Sequence, residues 1–180
     1  YVDAIVVVDD ASSDKTVQVV EDEMQRVDRL HLIRHSTNQG VGGAIASGYK
    51  WAIDHKMEVT AVMAGDGQMD PDDLGKIIDP VVSGKVGYSK GNRLFFGDAW
   101  NMIPHYRYLG NSFFSLMTKV ASGYWHIADS QSGYTAISLI ALKRINLDHI
   151  YNDYGMPNDL LIKLNQHDFR VRDVHIKPVY

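Results

Sequence analysis

The chain opens on Ala4-Ile5-Val6-Val7-Val8, an unbroken and largely β-branched apolar run halted by Asp9-Asp10. Such a run reads as a strand buried on both faces, as a parallel sheet requires, with polar residues marking its C-terminal end. Ser12, Ser13 and Asp14 then offer capping oxygens, and Val17, Val20, Met24 and Val27 recur at helical spacing, so a helix follows directly. Leu30-His31-Leu32-Ile33 predicts a second strand, and a Gly-rich turn leads into a helix with Val41, Ala44, Ile45, Ala52 and Ile53 on one stripe. Val59 to Met63 predicts a third strand, stopped by Gly65-Asp66-Gly67, and Pro71-Asp72-Asp73 opens another helix that Pro80 bends or ends. This alternation predicts a layered α/β fold with right-handed crossovers.

Beyond Gly84 the rhythm changes. Val86 to Ser89 is a short strand, 95–106 is loop-like, and Tyr108 to Val120 is helical. Thr135 to Ser138 reads as a strand and Asn158 to Gln166 as a helix, followed by an alternating strand, Phe169 to Ile176, with Phe169, Val171 and Val174 placed for burial. The second half is therefore α+β in character. No repeat, low-complexity run or linker divides the 180 residues, a length that suits one continuous domain.

Composition narrows the chemistry. Hydrophobic residues make up 45% and charged residues 22%, the balance of a folded globular domain. With 18 Lys and Arg against 22 Asp and Glu the formal charge is -4, so no positive field is available to hold a polyanion, and nucleic acid is not an expected partner. There is no cysteine and no His-Glu-x-x-His motif among the eight histidines, for which surface or core roles are expected, so any metal must sit on oxygen or imidazole. No run reaches the ~18 apolar residues of a membrane span. The start at Tyr1, almost directly on a strand, suggests a trimmed fragment.

In open α/β sheets ligands bind beyond the carboxyl ends of the strands, which directs attention to three segments. The first is Asp9-Asp10-Ala11-Ser12-Ser13-Asp14, where a carboxylate either caps a helix or accepts hydrogen bonds from a base N–H or a ribose hydroxyl. The second, Asn38-Gln39-Gly40-Val41-Gly42-Gly43, lets a backbone approach a ligand at a helix N-terminus, or serves only tight helix packing. It is neither a dinucleotide fingerprint nor a phosphate loop. The third, Ala64-Gly65-Asp66-Gly67-Gln68-Met69-Asp70, presents hard oxygen ligands in Asp66 and Gln68 that suit magnesium or manganese beside a diphosphate, while Asp70 before Pro71 reads as a helix cap or a further ligand.

The ordered set VDDASSDKT (8–16), NQGVGGAIASGYKWA (38–52), AGDGQMDPDDL (64–74), KGNR (90–93) and DSQSGYTAIS (129–138) resembles the family-2 glycosyltransferases of the GT-A fold, within them the polyprenyl-phosphate sugar transferases similar to dolichyl-phosphate mannose synthase. The resemblance implies a mostly parallel central sheet with flanking helices whose first strand is missing here. It further implies a nucleotide-sugar half over 1–90 and an acceptor-side half over 91–180. It implies an inverting transfer from a GDP- or UDP-sugar to a polyprenyl phosphate, a Mg2+ or Mn2+ cofactor, and a place at the cytoplasmic face of a membrane. The alternatives are a glycan or other hydroxyl acceptor, or a nucleotide-sugar-binding domain without turnover.

Carried over by position, Asp10, with Asp9 beside it, matches the carboxylate that contacts the nucleoside, and Asn38, Gly40 and Gly65 fall in the donor-binding segments. Asp66 matches the second aspartate of the family's metal motif, with Gln68 as a further ligand, and Ala64 stands where the first aspartate is expected. Arg93 and Arg107 match phosphate-binding arginines, a role that suits a permanently charged planar fork. Asp129 matches the acceptor-side segment; it is a general base only if the acceptor is an alcohol, because a phosphate monoester is already ionised. The apolar residues between Tyr108 and Ile127 read as core, with a membrane-facing helix as the alternative.

Overall fold

The computed structural model of the chain describes residues 2–92, 105–127, 129 and 132–176. Strand β1 (Ile5–Asp9) pairs in parallel with β2 (Leu30–Arg34), Ile5 opposite Leu30 and Asp9 opposite Arg34. Helix α1 (Thr16–Met24) makes the crossover, and the Asp14 carboxylate accepts from the Thr16 N–H at 2.9 Å at its start. Two expectations change here. β1 is only half-buried, because β2 is its sole sheet partner among the described residues. α1 buries no residue; Val17 and Val20 are half-buried and Met24 is exposed.

The larger sheet runs β3-β5-β4-β6, formed by β3 (Val59–Val62), β4 (Tyr88–Asn92), β5 (Thr135–Ser138) and β6 (Val171–His175). β5 is antiparallel to both neighbours and β4 is parallel to β6, so three of the four strands point one way. All five residues of β4 are buried, polar Lys90 and Asn92 among them. The expected strand Val86 to Ser89 therefore starts two residues early and stops three short, since the polar positions that follow look like a loop. Their burial is supported by neighbours such as Asp173, whose Oδ2 accepts from Asn92 Nδ2 at 2.8 Å.

Helix α2 (Gly40–Asp54) packs against β1 and β3, and α3 (Leu74–Val82) against β3, β4 and β5. Pro80 lies inside α3, two residues before its end. Ile77 and Val81 join Tyr134, Ala136 and Ile176 in a smaller core. On the other side Tyr49, Tyr88, Ile137, Leu161 and Leu164 form a larger one, gathered by α2, the sheet, α5 (Leu139–Arg144) and α6 (Met156–Gln166). Each fully buried large side chain of this kind contributes roughly 1.5–3 kcal/mol. The buried stripe of α2 is Gly42, Gly43, Ala46, Tyr49 and Ala52, turned away from Val41, which is 43% exposed.

In helix α4 (His105–Ser122) the described side chains from Leu116 to Ser122, with Phe113, carry their polarity the wrong way round for a core helix. Thr118 and Ser122 are buried, with Thr118 Oγ1 donating to Asn158 Oδ1 of α6 at 3.0 Å, whereas Phe113, Leu116, Met117 and Val120 are exposed. Among the described residues no helix is long and apolar enough to cross a membrane. The loop expected over 95–106 lies almost wholly outside the described residues.

Candidate active site

The C-terminal end of β1 delivers Asp9 and Asp10 into different surroundings. Asp10 Oδ1 lies 2.6 Å from His35 Nδ1 and accepts from the Gln39 N–H at 2.8 Å. Asn38 Nδ2 donates to the Asp10 carbonyl at 3.4 Å. A carboxylate on Nδ1 keeps a proton on that nitrogen, and His35 Nε2 is hydrogen-bonded to Ser47 Oγ at 2.9 Å. Burial pushes the Asp10 carboxyl up, but hydrogen bonds from His35 and from the Gln39 and Gly40 backbone outweigh it and hold the group below its ordinary value. The two short bonds fall on Oδ1, so Oδ2 keeps acceptor capacity for a ligand. Ala11, at φ 62°, turns the chain sharply just after Asp10, a left-handed conformation that costs a non-glycine residue ~1–2 kcal/mol.

Asp9 is 4% exposed, and its Oδ1 has no hydrogen-bond partner among the described residues. A buried carboxylate oxygen in that state is unfavourable until a donor reaches it.

The glycine-rich segment resolves into two parts. Gly40, at φ 80°, donates to Asn38 Oδ1 at 3.0 Å, and a Cβ there would lie 2.3 Å from the Asn152 carbonyl oxygen. The Gly42 and Gly43 N–H groups donate to that same carbonyl at 2.8 and 3.4 Å. Their amides are thus engaged with the chain itself, and tight packing accounts for both glycines.

After β3 the chain forms an exposed turn holding Gly65, Asp66 and Gln68. Asp66 Oδ1 accepts from the Gln68 N–H at 3.0 Å across Gly67, which sits at φ 74°. Asp70 is a cap: its Oδ1 accepts from the Asp72 N–H at 2.9 Å at the head of the turn Pro71–Asp73. Tyr134 Oη donates to the Asp70 carbonyl at 3.1 Å and so ties this turn to the segment that follows Asp129. Among the described residues no group of three or more His, Cys, Asp or Glu is gathered as a metal cage. The donor set of one open carboxylate and one carboxamide still fits a hard divalent cation that takes its other oxygens from a diphosphate and water, as magnesium commonly does.

Asp129 is fully buried, close in sequence to Ser132, which is 1% exposed, and to Tyr134, whose carbonyl accepts from the Gly91 N–H of β4 at 2.7 Å. Arg93 lies outside the described residues, and Arg107 is in the first turn of α4 with its side chain outside them. The structure thus joins Asp10, Asn38 and Gly40 in one network and links the Asp66 turn to the segment after Asp129. The sequence carries no local sign that His35 and Ser47 act with Asp10. The one available clue was position, since His35 directly follows β2.

An α/β sheet with one reversed strand, flanked by helices and bearing carboxylates at its strand ends, is the GT-A fold of nucleotide-sugar transferases. It superposes on glucosyl-3-phosphoglycerate synthase from Mycobacterium tuberculosis with a TM-score of 0.69 at 16% identity, over 98% of this chain and 60% of that one. That enzyme has been crystallised with Mn2+, UDP and glucosyl-3-phosphoglycerate. The family model for glycosyl transferase family 2 matches residues 1–145, and the chain belongs to that family. It is 30% identical to the UDP-N-acetylglucosamine–dolichyl-phosphate N-acetylglucosaminyltransferase of Methanococcus voltae, over 99% of the chain and 75% of that protein. It is 27% identical to the undecaprenyl-phosphate mannosyltransferase of Micrococcus luteus, over 96% of the chain and 70% of that protein. The chain spans 60% of the solved synthase's length.

Proposed function

We propose that this chain is the catalytic domain of an inverting glycosyltransferase that moves a sugar from a GDP- or UDP-sugar to a polyprenyl phosphate. The observation that carries the reading is Asp10, an ionised carboxylate braced by His35 and Gln39 through Oδ1 at a strand end, with lone-pair capacity to accept a further hydrogen bond from a nucleoside. Asp9, Asn38, Gly40 and Gly65 line the same donor-binding segments, and Arg93 and Arg107 supply positive charge for the phosphates. Asp66 and Gln68 would hold Mg2+ or Mn2+. Such an ion supplies neutralisation of the charge that builds on the leaving diphosphate.

A lipid phosphate arrives already ionised and needs no proton removed, which agrees with Asp129 being enclosed rather than open to an acceptor. The exposed apolar stripe of α4, Phe113, Leu116, Met117 and Val120, suits a domain working against a membrane surface at its cytoplasmic face. Relatives named for dolichyl- and undecaprenyl-phosphate support the same acceptor class.

Calorimetric titration with UDP and GDP, each with and without Mn2+, tests the donor half. One nucleotide is expected to bind in a metal-dependent way, and Asp66→Asn is expected to abolish that dependence while leaving the melting temperature unchanged, since Asp66 is exposed. Equal metal-dependent affinity in the variant would remove Asp66 from the site. Transfer of label from the nucleotide sugar to polyprenyl phosphate in vesicles tests the acceptor half.

A further inference from the structure

We infer that His35 is a positioning residue of the donor site, holding Asp10 in one rotamer so that its free oxygen meets the nucleoside, with Ser47 fixing the ring in turn. The inference rests on the donor-site reading above and adds two residues to it. Three elements converge on the imidazole. Its backbone N–H donates to the Asp9 carbonyl at 2.9 Å, which locks the residue to the end of β1. Its side chain is 6% exposed and its two nitrogens are both used, at 2.6 Å by Asp10 and at 2.9 Å by Ser47 of α2. A side chain that is nearly enclosed and bonded at both ends has one orientation, and the carboxylate it grips loses freedom with it.

The order Asp10, His35, Ser47 has the connectivity of a hydrolase relay, but the working end here is the carboxylate and not the serine. Ser47 sits in the second turn of a helix whose leading amides at Gly42 and Gly43 are given to Asn152, so that pair is not available to stabilise an oxyanion. The carboxylate is the end that keeps an open acceptor. The network therefore serves binding at Asp10 rather than attack by Ser47. A carboxylate held in the bound geometry before the ligand arrives spares the ordering cost of binding.

The test is a double-mutant cycle in nucleotide affinity, measured by calorimetry with UDP and with GDP in the presence of Mn2+, on the wild type, Asp10→Ala, His35→Ala and the double variant. His35→Ala is expected to weaken binding about tenfold or more, the scale of a hydrogen bond to a charged group, and to add nothing in the Asp10→Ala background. His35→Asn, whose amide N–H replaces the Nδ1 proton, should restore most of the affinity, and Ser47→Ala should show a smaller loss. In turnover the donor KM rises while kcat at saturating donor holds. Should His35→Ala fail to fold, the asparagine and serine variants carry the same comparison. Equal losses from His35→Ala in both backgrounds, or no loss where Asp10→Ala shows one, would overturn the positioning role. If Asp10→Ala itself leaves affinity unchanged, the donor-site reading falls and this inference falls with it.

Discussion

The Gly42 N–H donates to the Asn152 carbonyl at 2.8 Å, and a Cβ on Gly42 would lie 2.1 Å from the carbonyl oxygen of Tyr151. The first turn of α2 is thus pressed against the backbone of a segment far along the chain. Helix propensity alone favours alanine over glycine by about 1 kcal/mol. Here the obstacle is backbone, which has no rotamer to swing aside, and overpacking of this kind costs roughly 1–3 kcal/mol.

Gly42→Ala is therefore expected to lower stability despite the better helix former. Gly75→Ala, at an exposed position of α3 with nothing within 4 Å of its would-be Cβ, is expected to be neutral or stabilising by up to ~1 kcal/mol. Chemical denaturation of both variants checks the pair. Equal effects at the two positions would mean that the contact with 151–152 does not constrain α2.

Asp10 makes a prediction about acid. Its folded-state carboxyl lies below its ordinary 3.8, with burial opposing and the bonds from His35, Gln39 and Gly40 prevailing. A carboxyl lowered on folding stabilises the folded form fully above its unfolded value, and that contribution is lost as pH falls through the folded value. Asp10→Asn, which resembles the protonated acid in shape, should be less stable than wild type at neutral pH. The gap should narrow below about pH 3.8, as the wild-type carboxyl takes up its proton. Unfolding midpoints of the two proteins between pH 7 and pH 3 decide it, and a gap that stays constant to the acid end would place the Asp10 bonds outside the energetics of folding.

These contacts also mark what could be read from residues alone. β1, β2 and β3 are legible because each is a short apolar run stopped by charge or glycine, and the carboxylates after β1 and β3 stand out by that position. β4 is legible only in part, at Tyr88 and Ser89, because Lys90 and Asn92 are polar yet fully enclosed, and the Asp173 that bonds Asn92 lies on a strand distant in sequence. The role of His35 is hidden for a similar reason: Asp10 is 25 residues before it and Ser47 12 after, separations that no local pattern encodes. The face of α2 is legible in part: Ala52 is buried and Ile45 and Ile53 pack on the core as the stripe predicts, while Val41 is exposed and the packing reading of Gly42 and Gly43 prevails.

Tyr134 supplies the last prediction. Its ring is 1% exposed within the smaller core, while its hydroxyl donates to the Asp70 carbonyl at 3.1 Å. Burial, with the Asp73 and Asp70 charges nearby, pushes the phenol up to about 12, so it remains a neutral donor throughout the working range. Tyr134→Phe keeps the packing and removes only that bond, which costs about 0.5–1.5 kcal/mol. Because the bond anchors the turn that carries Asp66 and Gln68, the larger consequence is expected at the donor: metal-dependent nucleotide affinity should drop severalfold more than the small change in stability would suggest. Calorimetry beside thermal unfolding separates the two effects, and a stability loss with unchanged nucleotide affinity would show that the turn holds its shape without Tyr134.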